Sequence, residues 1–372
     1  MSAIQQYIIQ WLGVWLCLYS LIACGQHKEK VVPNKVEAQK SKIMNTTAQA
    51  EIDLLKVPVD SITADNIVEI IANQVQRYEV EPIYYLRIGK ANCLIEVLVN
   101  DIPTYKNYTL SNLATPLEIN DNILKSGTQT ITVRMHPVGD LIKEEYDYGD
   151  TVTTLGDASA VQITIIQADH KGNQGMDDEE IITTHQSPTK DEAGEVFTGS
   201  GLPFYEYTFS FEATVPYHIK NGWDTAIDLT KLDQDYVEQQ AVTYYNNFLQ
   251  QFKQGNADAI AKLNYTGMLI QAQTYYNTKK EIQEVWDEDI ELFTNPTREV
   301  YPFDSGYKVL QCASGRGGYL RHKNPEDPQL LHKSMAWLYY EKNGTGRGNF
   351  FNNYLYCPKK AYNRKKLVFR NM

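Results

Sequence analysis

Apolar and polar positions alternate with a period of two over most of the segment from Glu81 to Val215. The stretches IYYLRI, CLIEVLVNDIPTYKNY, PLEIN, QTITVRMHP, AVQITIIQAD, EIITTHQ and YEYTFSFEATV are rich in Val, Ile, Thr and Tyr, and they predict strands. Asn100-Asp101 falls inside one of these stretches and predicts a hairpin turn. Lys125-Ser126-Gly127 predicts a turn ahead of the alternating run Thr130 to Met135. Upstream, DSITADNIVEIIANQVQRY sets Ile67, Ile70, Ile71 and Val75 on one face of a short helix with Thr63 as its N-cap. Residues 25–50 have few large apolar groups and no period, and predict a flexible tether.

After Pro216 the period lengthens. Val237, Val242, Tyr245, Phe248, Leu249 and Phe252 form a helical stripe that starts at an Asp233 or Asp235 cap and stops at Gly255. A second helix carries Ile260, Leu263, Met268, Leu269 and Ala272, and KKEIQEVWDEDIELF makes a third. Strands then return in GYKVLQCAS, GGYLRHK, SMAWLYYEK, NFFNNYLYCPK and KLVFR. The pattern predicts an α+β, multidomain chain: an N-terminal antiparallel β-sandwich followed by a helices-then-sheet α+β domain. The expected divisions are a leader at 1–23, a tether at 24–55, a short helix at 56–80, the sandwich at 81–216 and the α+β domain at 217–372. The stretch LKSGTQTITVRM resembles the strand entry of immunoglobulin-like and jelly-roll carbohydrate-binding sandwiches. Residues 248–263, FLQQFKQGNADAIAKL, resemble the first helix pair of the nuclear-transport-factor-like, or SnoaL-like, cone fold. That likeness implies a curved sheet whose concave face lines a pocket. On that expectation Trp337 and Tyr339, which alternate on one strand, are pocket or interface candidates, and Trp286 on the third helix could close the mouth; all three could equally be plain core.

The first 23 residues change the picture of where this body resides. Tyr7 to Ala23 is almost wholly apolar, too short for a comfortable bilayer span of about 20 residues and followed at once by polar residues. Its exit, Leu21-Ile22-Ala23-Cys24-Gly25, resembles the lipobox of bacterial lipoproteins. The resemblance implies cleavage before Cys24, diacylation of its thiol with fatty acids such as palmitate, and a lipid-anchored protein of the bacterial cell envelope. The expected place is the outer membrane, facing the periplasm or the surface. No Lys or Arg precedes Lys28, a departure from the basic start of a signal peptide, and an uncleaved membrane anchor is the alternative. The net charge of −11 lies wholly beyond residue 27 and argues against nucleic acid as a partner.

Candidate chemistry is sparse. Of the five cysteines, Cys312 and Cys357 share the C-terminal region and could form a disulfide; buried free thiols are the alternative. The seven histidines form no H-E-x-x-H, and no G-x-S-x-G elbow occurs. In DHKGNQGMDDEE, Asp169, Asn173, Asp177 and Glu180 fall at calcium-loop positions, but Lys171 takes a ligand's place and the loop reads as acidic surface. GRGG and GTGRG lie between strands and predict hairpin turns rather than phosphate cradles. Asp287 and Glu291 share a helix face with the character of a solvated surface. No catalytic residue, metal or cofactor is expected. The 26 tyrosines suit strands first and binding surfaces second. The composite expectation is a membrane-anchored lipoprotein that binds a protein or glycan partner without catalysis, with an envelope immunity protein against a secreted toxin as one form of it. An enzyme with its pocket in the C-terminal domain, or a structural envelope subunit, is the alternative.

Overall fold

The computed structural model describes residues 49–172, 179–189, 196–301, 306–322, 334, 336–363 and 367–372. The described residues begin with strand β1 (Ala50–Asp53) and helix α1 (Ile67–Ala72), followed by β2 (Pro82–Ala91), β3 (Leu94–Val99), β4 (Ile102–Asn107) and β5 (Leu117–Glu118). Next come β6 (Gly127–His136), helix α2 (Leu141–Tyr146), β7 (Ala160–Asp169), β8 (Glu180–Gln186), β9 (Tyr205–Ala213) and β10 (Tyr217–Lys220). Two four-stranded antiparallel sheets result, in the orders β5-β2-β7-β8 and β4-β3-β6-β9. Alternate residues of both face one core: Leu86 and Ile88 of β2, Ile163 and Ile165 of β7, Val97 and Val99 of β3, Ile131 and Val133 of β6. This is the antiparallel sandwich that the period-two pattern predicts. The β3–β4 turn has positive φ at both Asn100 and Asp101, as a two-residue primed hairpin requires.

Three local expectations need correction. Residues 50–55 do not belong to the tether. β1 pairs in parallel with β10, and Ile52 and Leu54 are 4% and 1% exposed. Four residues are too few to show a period, and the partner strand lies far downstream. The first helix also starts later than expected, because Asn66 occupies its N-cap position. Asn66 Oδ1 accepts the Thr63 N–H at 2.8 Å, and Thr63 contributes its carbonyl to the N–H of Ile67 at 3.1 Å. Val75 lies beyond the helix end. Finally, α2 falls in a stretch for which no element was expected.

The C-terminal part holds helices α3 (Gln234–Gln254), α4 (Ala257–Thr274) and α5 (Lys279–Thr294). Their ends are set by local chemistry: Asp233 accepts from the Tyr236 N–H, Gly255 closes α3 at φ +64°, and Thr278 and Glu281 form a capping box. Strands β11 (Glu299–Tyr301), β12 (Tyr307–Cys312), β13 (Gly317–His322), β14 (Trp337–Lys342), β15 (Thr345–Phe350), β16 (Leu355–Tyr356) and β17 (Arg370–Asn371) follow. They form two sheets, β11-β14-β15 and β12-β13-β16-β17. The fold is α+β in the expected sequence of sheets, helices, sheets.

One continuous hydrophobic core runs from Ile52 through the sandwich and the helices to Phe369. Buried polar groups bridge the same boundary. The Asn120 amide donates to the carbonyls of Pro82 and Thr274, and Gln76 and Gln273 exchange two hydrogen bonds. At the hairpin tip, Asp101 accepts the N–H groups of Ala313 and Ser314. Strand β3 is buried on both faces: Ile95, Val97 and Val99 join the main core, and Leu94 on the other face packs with Tyr108 and Val138.

Candidate functional site

The second buried face of β3 opens onto a cavity of about 780 Å³ between the β3–β4 hairpin and the C-terminal part. Alternation along β3 turns Ile95 and Val97 into the core and points Glu96 the other way. Across that outer face runs a row of alternating charge, with Lys106, Glu96, Arg134 and Glu206 paired in register on four strands. Arg134 Nε meets Glu206 at 2.7 Å and its Nη1 lies 3.6 Å from Glu96, which also accepts the Tyr108 hydroxyl. Opposite, α4 presents Asn264, Met268 and Gln271 at helical spacing, and α5 contributes Asp289. Tyr319 and Arg321 of β13, with Asn353 and Tyr354 beyond β15, complete the wall.

Arg321 dominates the electrostatics. It is 2% exposed, its guanidinium carbon sits 4.3 Å and 5.1 Å from the ring centroids of Tyr319 and Tyr354, and Nη1 donates to the Leu320 carbonyl at 3.0 Å. Among the described residues no carboxylate lies within ion-pair distance of it. Asp289 accepts the Asn264 amide at 2.7 Å, and burial outweighs that bond to push its carboxyl up to about 6. The protein around Asp121 lifts its carboxyl to about 6 as well, against a 3.3 Å bond from the Tyr275 hydroxyl. Asp121 is open to solvent, which screens it, so the lift is the stronger argument at half-buried Asp289. Two lining amides are incompletely satisfied: Asn353 Nδ2 and Asn371 Oδ1 are buried without a hydrogen-bond partner among the described residues. Each such group costs about 1–3 kcal/mol. The arrangement offers polar donors and acceptors, the buried cation of Arg321 with Lys106 beyond it, and carboxylates, Asp289 foremost, that exchange protons near neutrality. Among the described residues no His or Cys lines it to serve as base or nucleophile.

The residues singled out from the sequence lie elsewhere. Trp286 is 2% exposed and packs in the core, with its ring 6.0 Å from that of Phe293. Trp337 stands between Tyr301 (4.5 Å, 7°) and Phe350 (5.6 Å, 17°) on the three-stranded sheet. Rings stacked this way across neighbouring strands stand on edge, so they present no flat platform above the sheet. Tyr339 shares that face and lies over Gly346, where a Cβ would approach its hydroxyl to 2.4 Å. These three side chains are not brought together, and none of them lines the cavity. The disulfide is not formed either. Cys312 and Cys357 are free buried thiols. Cys312 is in register with Gly317 and Gly317 with Tyr356, so Cys357 lies two strands away and on the opposite face. Two strand spacings are about 9–10 Å, beyond the roughly 4.4–6.8 Å Cα separation of a disulfide.

Other sequence features take local roles. Ala313 to Arg316 turn between β12 and β13, but the second glycine stretch turns only at Asn343-Gly344, and Gly346 and Gly348 sit within β15. Arg316 donates to the Ala226 carbonyl at 2.8 Å. Asp169 receives the N–H groups of Glu81 and Lys171, while Asn173 and Asp177 lie outside the described residues. Cys24 and the lipobox lie outside them too. Among the described residues no three His, Cys, Asp or Glu side chains gather as metal ligands, and no helix is long and apolar enough to cross a membrane.

The sequence reading passed over Arg321 and took Asp289 with its acidic neighbours as part of a solvated face, although a signal existed for each. Ile282, Trp286, Asp289 and Phe293 follow one helical stripe, so Asp289 is a carboxylate at an inward position. Arg321 continues the buried run Tyr319-Leu320 of β13. Comparison of the chain with family profiles, curated proteins and solved structures finds no match.

Proposed function

We propose that this protein is a lipid-anchored binding protein of the bacterial envelope that holds a glycan in the cleft between its sandwich and helices without cleaving it. The observation that carries the reading is the cleft itself. Its volume of about 780 Å³ is that of a small-molecule site. Its wall is rich in Asn and Gln amides, each of which donates and accepts, as vicinal hydroxyls require. The anchor is the acylated Cys24 of the lipobox, with acyl chains contributing about 0.8 kcal/mol per buried methylene. A surface of net charge −11 suits a partner other than nucleic acid.

Calorimetric titration of the protein against a panel of envelope and extracellular oligosaccharides tests this. At least one should bind, remain uncleaved after prolonged incubation, and lose affinity when Gln271 or Asn264 becomes Ala. Cleavage of the bound glycan would move the reading to the enzyme alternative, for which Asp289 is the acid–base candidate. Absence of binding across the panel would overturn the glycan reading.

A protein partner, including a secreted toxin, has one observation in its favour. The loop around α2 is exposed throughout residues 143–151, carrying Tyr146 (53%) and Tyr148 (66%) among Glu144, Glu145, Asp147 and Asp150. A basic protein that binds the native chain and is lost when Tyr146 and Tyr148 become Ser would favour that reading.

A further inference from the structure

We propose that the glycan held in the cleft is acidic, and that its carboxylate or phosphate pairs with Arg321. The inference rests on the glycan reading and adds to it the charge of the ligand. Three charged residues of the described chain are buried: Glu81, Glu96 and Arg321. Glu81 takes both Nε and Nη2 of Arg77 at 2.8 and 2.9 Å, and Glu96 lies between Arg134 and Tyr108. Arg321 alone of the three has no opposite charge among the described residues. The phenols around it do not supply one, since burial raises the titration of Tyr245, Tyr319 and Tyr354 well away from neutrality.

A guanidinium withdrawn from water without a counter-ion is costly, and it keeps its charge because it is not deprotonated in proteins. The rings of Tyr319 and Tyr354 beside it repay part of that cost, and the bonds from Nη1 to the Leu320 carbonyl and from Nη2 to Asn352 Oδ1 at 3.5 Å hold the fork in place. The same residue lines a cavity roomy enough for a sugar chain. A planar fork held rigid at the wall of a cavity matches the two oxygens of a carboxylate or phosphate. Asp289 and Asn264 on the opposite helices would then meet hydroxyls of the same ligand, at a distance from the acid group.

The test uses the full-length protein in detergent. Thermal unfolding and calorimetry are run with trigalacturonate, its methyl ester, trigalactose, glucose 6-phosphate, glucose and inorganic phosphate. The expected result is a rise in Tm with trigalacturonate or glucose 6-phosphate and at least a tenfold weaker effect of the ester or neutral sugar. Which of the two acids acts distinguishes a carboxylate from a phosphate. Arg321→Gln should lose that tenfold preference, and Arg321→Lys should recover part of it, because Lys restores the charge but not the fork. Without ligand, Arg321→Met should melt no lower than the native protein; a marked fall would assign Arg321 a purely structural part and overturn the proposal. Equal binding of ester and acid would overturn it while leaving the glycan reading intact. Failure of every sugar, acidic or neutral, would overturn both. Inorganic phosphate binding as well as glucose 6-phosphate would show that the sugar contributes nothing, and would also count against the proposal.

Discussion

Two carboxylates shielded from water, buried Glu81 and half-buried Asp289, shift in opposite directions. At Glu81 burial alone would raise the carboxyl, but the Arg77 fork, the Tyr78 N–H and the Lys171 charge together hold it below the usual range. Its contribution to stability is present above the unfolded pKa and is lost as pH falls through the folded one. Arg77→Ala should therefore cost about 2–4 kcal/mol at pH 7, less at low pH, in the lower part of the buried-pair range because Arg77 is partly exposed. Urea titrations at two pH values check this. At Asp289 the shift is upward, to about 6. The folded state binds the proton more tightly, so stability declines as pH rises from about 4 through 6. Asp289→Asn should gain about 1–2 kcal/mol relative to the native protein across that window. A variant that stabilises the fold at pH 7.5 yet weakens binding would mark a residue kept for function. Trp286→Ala, by contrast, should cost about 3–5 kcal/mol by denaturant titration and leave binding intact, since the ring fills core and does not line the cleft.

Elements whose signals are local were legible in the sequence. The hairpin at Asn100-Asp101 follows from two residues that tolerate positive φ, and the three helices follow from their apolar stripes, the first also from its Asp233 cap and its stop at Gly255. The cleft was not legible as a cleft, because its walls come from β3, α4, α5 and β13, whose meeting depends on long-range packing. The parallel pairing of β1 with β10 was hidden for the same reason. The inward carboxylate at Asp289 was visible on its stripe and was masked by the acidic residues around it. Within the C-terminal sheet, Gly317 is a close-approach position: a Cβ there would meet Met372 Cε at 2.3 Å and Cys312 Sγ at 2.8 Å. The methionine tip can move and the buried sulfur less so. Gly317→Ala should cost about 1–3 kcal/mol in thermal or urea unfolding, with no change in strand content by circular dichroism.

For the whole molecule, a shared core and buried amide bridges couple the sandwich to the helices. Calorimetry should show one unfolding transition with equal van't Hoff and calorimetric enthalpies, whereas two separated transitions would mean that the parts fold alone. In the proposed lipid-anchored protein, localisation would depend on Cys24. Cys24→Ser should release the protein from the membrane fraction and remove a fatty-acid increment from its mass, and retention of both would contradict the anchor. The most direct measurement of the central claim is the structure of the protein with the tightest-binding oligosaccharide of the panel. Sugar density is expected between Asp289 and Arg321, within hydrogen-bond distance of Asn264 or Gln271. Density on the Tyr301–Trp337–Phe350 face instead, with the cleft holding only water, would contradict it.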